Sequence, residues 1–383
     1  MKKLNLLFIG VLSMSYVSAQ DISDAVRYSL DEVQGTARFR AMGGAFGALG
    51  GDLSAISINP AGAAIFTRSN GSFSISNLNT KNDVNYFNGF SSSSDSKFDV
   101  NQLGAVFVFN NTDQNSPWKK LALSVNYDKL SNFDNHWYAV GTGNTSIDRY
   151  FLDRTEVREI PFGVLKLLPD EFLEEAYADI GANPNYGYDF QQVFLGYWAG
   201  IIDPLNPDDN TNDNNIDYIS NTAPATSFNQ DYYYASTGYN GKLTFNIASQ
   251  YGDNVYMGLN LNSHFVNYEK FTSFIETNDN PNSYANDILF ENQLRTNGTG
   301  FSFQFGLIGK LTEEFRIGVI YDSPTWYRFD DELIQNIDSN FADTDIGYIA
   351  TITNVFPSLF LSHVFRIFTT FYTFLQYGGK YLP

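Results

Sequence analysis

Three histidines, at positions 136, 264 and 363, are the only side chains that ordinarily titrate near neutral pH, and there is no cysteine. Nucleophilic catalysis needs a hydroxyl or thiol with a base beside it. His136 follows Asp134 and Asn135, His264 falls on the polar face of an alternating segment, and His363 lies in the final stretch, so no catalytic residue is assigned. Asp203 to Asp217 is the richest supply of oxygen ligands, with Asp208, Asp209, Asn210, Asn212 and Asp213. It lacks the turn glycine and terminal glutamate of an EF-hand, so a solvated acidic loop stands beside a calcium site, and no metal or cofactor is expected. The glycines between Met42 and Gly51 miss the G-x-G-x-x-G spacing and follow no clear strand, which excludes a dinucleotide fingerprint.

The elements that would carry any such residues are constrained by composition. Of 383 residues, 17% are charged and 16% are aromatic. Soluble proteins carry about 25% charged residues, so sheet faces here meet something other than bulk water. The net charge of -19 repels a nucleic-acid backbone. Residues 1–19 read as a signal peptide: Lys2 and Lys3, a short apolar run from Leu4 to Leu12, then Val17-Ser18-Ala19. That run is far shorter than the roughly 20 residues of a transmembrane helix.

The rest alternates with a period of two. Leu121, Leu123, Val125 and Tyr127 share one face against Ser124 and Asn126; Leu243, Phe245 and Ile247 oppose Thr244 and Asn246. The same rhythm runs through Val255 to Asn262, Phe301 to Leu307 and Phe315 to Tyr321, and more weakly through Phe73 to Asn79, Leu103 to Asn110 and Ile346 to Thr353. The apolar faces fit either a sandwich core or a lipid-facing wall. Connections alternate between long (Thr80 to Asp99, Gly141 to Asp231, Asn278 to Asn286, Asp330 to Thr344) and short (Asn111 to Trp118, Tyr251 to Asp253, Leu311 to Glu314). That asymmetry favours an all-β transmembrane antiparallel β-barrel in the outer membrane, with aromatics such as Trp118, Tyr251, Tyr268, Trp326 and Tyr327 near strand ends.

Residues 20–68 are different: rich in Ala and Gly, with short helices expected at Asp21 to Leu30 and Asp52 to Ile58. They read as a plug inside the barrel of residues 69–356, or as a periplasmic arm. Arg40-Ala41-Met42-Gly43-Gly44-Ala45-Phe46, Asp52-Leu53-Ser54-Ala55 and Asn59-Pro60-Ala61-Gly62-Ala63-Ala64 together resemble the hatch of the FadL family of outer-membrane transporters, in its Bacteroidetes-like branch. The resemblance implies fourteen strands, of which about eight are recognisable here, and an amino-terminal hatch. It further implies passive uptake of long-chain fatty acids or other hydrophobic small molecules, which leave sideways into membrane lipid at a kink in the third strand. A general porin, or a non-transporting binding or secretion-associated barrel, remains the alternative.

Candidate positions follow. Phe46, Asn59, Pro60, Ala61 and Gly62 form the hatch path, Pro60 fixing the backbone while Ala61 and Gly62 admit close approach to the wall. The alternation of the third strand slips at Asp128 and Lys129, before Leu130 and Phe133, which marks either a bulge or the end of the membrane span. In the longest loop Phe172, Tyr177, Phe194, Tyr197 and Trp198 either capture ligand or form a loop core, and Pro169 to Ala178 is expected to hold an amphipathic helix. An eight-stranded barrel is filled by its own side chains and leaves no room for a plug. Residues 357–383 lose the alternation and end on Pro383 instead of an aromatic, so truncation or frameshift of a larger barrel is expected. Besides ligand and outer-membrane lipid, the expected partner is the barrel assembly machinery.

Overall fold

In the computed structural model, the described residues are 27–28, 32–206, 211–222, 226–312, 314–341, 346–356 and 364–371. The proposed signal peptide and nearly all of the Asp21 to Leu30 helix lie outside them; Arg27 and Tyr28 are helical. Antiparallel strands form one curled sheet: β1 (Asn70–Tyr86), β2 (Gly89–Asn110), β3 (Trp118–Asn132) with β4 (Asn135–Gly143), then β7 (Phe228–Tyr251), β8 (Val255–Thr277) and β9 (Asp287–Lys310). β3 and β4 pair in turn along β7, making one interrupted stave. β10 (Phe315–Asp322) and β11 (Trp326–Ser339) share β9 in the same way, and carry β13 (Val364–Phe371) and β12 (Ile346–Phe356) on their far sides. A two-stranded sheet, β5 (Ile202–Pro204) with β6 (Tyr218–Ser220), lies apart.

Among the described residues β1 pairs with β2 alone, so the sheet is an open half-barrel. The eight staves agree with the alternating segments of the sequence. The connections need correction. Thr80 to Asp99 is not a loop: β1 and β2 continue through it in register to a turn at Phe87 and Asn88. Both faces are polar there, as in Ser91 to Ser96, so the period of two has no apolar residues to display it. Likewise β11 runs on to Ser339, and part of the tail, Val364 to Phe371, pairs with β10.

Burial assigns the faces. On β8 the outward row is apolar from Val255 through Met257, Leu259 and Leu261, with Ser263, to Phe265, then turns polar at Asn267 and Glu269. Phe107, Leu123, Phe245, Leu261 and Phe305 on five neighbouring strands are all exposed. The opposite faces carry buried Gln102, Asn126, Asn246, Asn260 and Ser302. Large apolar side chains outside and amides inside invert a soluble sandwich.

Residues 32–66 fill the concave side. They comprise a short helix, α1 (Ala37–Ala41), and 3-10 turns at Ser54–Ser57 and Pro60–Ile65; the first stands where a short helix over Asp52 to Ile58 was expected. Phe39, Phe46, Leu49 and Ala55 make a small core of their own, while Leu53, Ile56, Ala63 and Ala64 pack on Val106, Ala122 and Ala248 of the wall.

Candidate functional site

A buried carbonyl without a donor is costly, and a segment with so little regular structure has many. The wall supplies the donors. Asn126 Nδ2 donates to Leu53 O at 3.0 Å, Asn260 Nδ2 to Ile56 O at 2.8 Å, Gln304 Nε2 to Ser57 O at 3.1 Å and Asn246 Nδ2 to Pro60 O at 3.0 Å. Lys120 Nζ reaches Ala64 O at 3.1 Å and Phe66 O at 2.7 Å, and Arg316 reaches Leu49 O at 3.3 Å. Asn59 works from the hatch side. Its Nδ2 donates to Gly47 O at 2.7 Å and Leu307 O at 3.3 Å, and its Oδ1 accepts from Ala61 N at 3.0 Å.

The Asn59-Pro60 turn sits in a trough of glycines. A Cβ on Gly306 would lie 2.0 Å from Asn59 Oδ1, and one on Gly258, its register partner, 2.4 Å from the Pro60 carbonyl. The backbone of Pro60 and Ala61 therefore lies against the wall, the close approach expected at Ala61. Gly62 does not: its close neighbour is the Gly50 Cα of the hatch, 3.2 Å from an added Cβ. Phe46 is buried in the core of the hatch against Phe39, with ring centroids 5.4 Å apart.

Immediately above the hatch, one register row crosses five staves: Asp128, Lys242, His264, Gly300 and Tyr327. Asp128 points at the hatch and accepts from Ser57 Oγ and Asn126 Nδ2. His264 hydrogen-bonds Ser302 Oγ at 2.8 Å and Tyr327 Oη at 3.3 Å. Over this row an aromatic cluster packs together. Tyr28 stacks on Phe329 at 4.6 Å and meets Tyr268 and Phe133 edge-on at 6.4 and 6.2 Å. Tyr327 stacks on Phe329 at 5.1 Å. The guanidinium of Arg27 lies 4.3 Å from the Tyr268 ring centre.

Phe133 joins this cluster because the third stave breaks beside it. The register of β3 on β7 shifts between Lys129 and Ser131, and β3 ends at Asn132. The irregularity thus lies one residue beyond the Asp128-Lys129 slip, and Asp128 itself is still in regular ladder with Lys242. The β2–β3 ladder stops at Gln102 and Asp128. Above it, side chains join β2 to the third stave in place of a backbone ladder. Lys129 pairs with Asp99, Asn132 Nδ2 donates to Asp99 at 2.9 Å, Lys97 pairs with Asp134 at 2.7 Å, and Ser93 Oγ donates to His136 O at 2.8 Å. Burial alone would raise the Asp134 carboxyl, but hydrogen bonds from Lys97, Thr237 and the Gly238 amide outweigh it and hold it below the ordinary range. Bonding to that carboxylate in turn raises the Lys97 ammonium.

The long connection after β4 is a folded cap of α2 (Asp148–Arg158), α3 (Leu173–Ala182), α4 (Gly187–Trp198) and the β5–β6 pair. Its core includes Phe151, Tyr177, Phe190 and Phe194 and continues onto Ile288, Phe290 and Ile337 at the outer ends of β9 and β11. The helix expected at Pro169 to Ala178 begins at Leu173. Of the five aromatics named in this loop, Tyr177 and Phe194 are fully buried, Tyr197 and Trp198 pack partly buried against the core, and only Phe172 is well exposed. They form no common surface; Tyr177 Oη instead donates to buried Gln335 of β11. Asp208, Asp209 and Asn210 lie outside the described residues. Asp203 turns into the cap, where burial raises its carboxyl and Asn221 Nδ2 donates to it at 2.7 Å. Among the described residues no three acidic or histidine side chains group as metal ligands.

Apart from Asp128, named for the wall kink, the row above the hatch and the aromatic cluster are absent from the sequence-based candidates, because they join residues from strands far apart in sequence. The one legible trace is that Lys242 and His264 break the run of neutral polar residues on inward faces. Comparison with protein-family models, with curated proteins and with solved structures finds no match for this chain.

Proposed function

We propose that the protein is an outer-membrane conduit for apolar molecules, which lodge among the clustered aromatic rings from outside and leave sideways through the seam between β2 and the third stave. The observation that carries this reading is the inverted sheet: exposed apolar residues outside, and a polar inner face gripping a hatch. The outward apolar row of β8, Val255 to Phe265, fits the roughly 9–11 residues with which a tilted strand crosses hydrocarbon. The resemblance of Arg40 to Ala64 to the FadL hatch points the same way. Rings of Phe133, Tyr268 and Phe329 offer a fatty chain about 0.8 kcal/mol per buried methylene. Release into water would forfeit that gain, and exit into lipid does not.

The seam suits such an exit. Above Gln102 and Asp128, parting it breaks side-chain pairs, whereas the other paired staves among the described residues are joined by a backbone ladder. The hatch speaks against a general porin, since an open aqueous channel has no use for a segment fastened to five strands. The test is uptake of labelled oleate by cells lacking their own transporter. Expression of the full chain is expected to raise uptake, and Asn59→Ala to change its rate. Uptake that ignores the protein overturns transport, and uptake of sugars instead assigns a porin.

A further inference from the structure

The outer face of the wall carries apolar side chains in two zones. The lower zone is the row that ends on β8 at Phe265. Above it runs a polar belt of Asn267 and Glu269 on β8, Arg295 on β9 and Glu332 on β11, where Arg295 pairs with Glu269 at 3.3 Å and with Glu332 at 3.7 Å. Beyond the belt apolar residues return on the same outward face. Two register rows cross β4, β7 and β8 there: Tyr138, Tyr233 and Ser273, then Val140, Asp231 and Ile275. These six residues line a shallow cleft of about 220 Å³. Tyr138 and Tyr233 are 45% and 44% exposed, and the Tyr233 ring leans on Phe271 with centroids 6.2 Å apart. Asp231 is exposed at the rim, and Ser273 Oγ donates to Glu291, which leaves its oxygen able to accept.

We infer that this cleft binds a neutral sugar of the glycolipid that surrounds the barrel in the outer leaflet. The inference rests on the outer-membrane part of the proposed function and not on transport. Height selects the ligand first. A strand tilted by about 45° climbs roughly 2.3 Å per residue along the membrane normal, so Ser273 and Ile275 stand about 20 Å above Phe265. Phospholipid head groups extend only about 5–8 Å beyond the hydrocarbon, so neither they nor acyl chains reach the cleft. The carbohydrate of a glycolipid does. Chemistry agrees with height: the C–H face of a sugar ring packs on the two tyrosine rings, while its hydroxyls donate to the Asp231 carboxylate and to Ser273 Oγ. The carboxylates of Asp231 and Glu291 repel phosphorylated sugars and so favour neutral ones. A second protein is the poorer fit, since a stable interface takes about 20–30 residues a side.

The test uses the full chain in bilayer discs that carry lipopolysaccharide with its core oligosaccharide, lipid A without it, or phospholipid alone. Nitration of Tyr138 and Tyr233, read by mass spectrometry, is expected to fall about fivefold or more with the core-bearing glycolipid and to be equal in the other two discs. Tyr284 of an outer loop, 67% exposed, is the reference and is expected to react alike in all three. Tyr233→Ala is expected to restore nitration of Tyr138 beside the core, and Tyr233→Phe, which keeps the ring, to leave Tyr138 protected. Protection by lipid A overturns the sugar site in favour of the lipid anchor. Equal protection of Tyr284 overturns it in favour of crowding, and protection that follows the number of copies per disc overturns it in favour of a second copy. Equal nitration of Tyr138 and Tyr233 in all discs overturns the site and leaves the conduit standing. A chain that stays dissolved without detergent or disc overturns both. Should a variant not fold, the wild-type comparison between core-bearing and core-free discs still decides.

Discussion

Asn59 shows how much one side chain can organise. A single amide satisfies the Gly47 carbonyl, a carbonyl of the wall and the Ala61 amide, and so fixes the turn that Pro60 begins. Removing one partner leaves buried groups unpaid at about 1–3 kcal/mol. Asn59→Ala is therefore expected to speed amide hydrogen exchange between Gly47 and Ala64 by one to two orders of magnitude, with the wall strands unaffected. The trough gives a second prediction. At Gly258 the obstructing atoms are hatch backbone, which cannot swing aside. Gly258→Ala should destabilise the fold by about 1–3 kcal/mol, read as a lower unfolding midpoint in detergent. These residue-level roles were partly legible. Asn59-Pro60 announces a turn in the sequence, whereas Gly62 could not be assigned to the hatch interior without knowing that Gly50 lies beside it.

At the scale of elements, the seam between β2 and the third stave has a definite response to pH. The folded state depresses the Asp134 carboxyl, so its contribution is fully present above the unfolded value near 4 and is lost as pH falls through the lower folded value. The seam should hold at neutral pH and loosen only in acid. Asp134→Asn is expected to mimic acid at pH 7: faster hydrogen exchange in Ser91 to Asp99 and faster ligand release, each reduced in its dependence on pH. Unchanged exchange in that segment would remove the Lys97-Asp134 pair from the latch. The sequence exposed the staves wherever one face was apolar and hid them where both were polar, which is why the β1–β2 hairpin reads as a loop. The third-stave irregularity was visible one residue early, because alternation registers a slip only when the next large apolar residue arrives.

For the molecule as a whole, the exposed apolar faces set the solvent it can live in. Leu261 is central in the outward row of β8 and is 46% exposed. On the proposed outer-membrane reading, Leu261→Arg should cost about 2–4 kcal/mol in a bilayer, the penalty for a cation at mid-depth on a lipid-facing strand. A conservative change of the inward Asn260 should act instead through its bond to Ile56 O, loosening the hatch and not membrane insertion. Measuring folding into vesicles separates the two. The direction in which the sheet turns its apolar side was not readable from alternation, because period two is the same for either orientation. Loop lengths carried that information, and two of the loops that carried it are largely strand.

The fastening of the hatch carries a consequence for how the chain reaches its native state. Amides from β3, β7, β8 and β9 each find an acceptor on residues 53–60, which are synthesised before any of these strands. The early segment thus acts as a mandrel. Each arriving strand gains its inward bonds by wrapping around something already present, and curvature is dictated from within, not by closure at the edges.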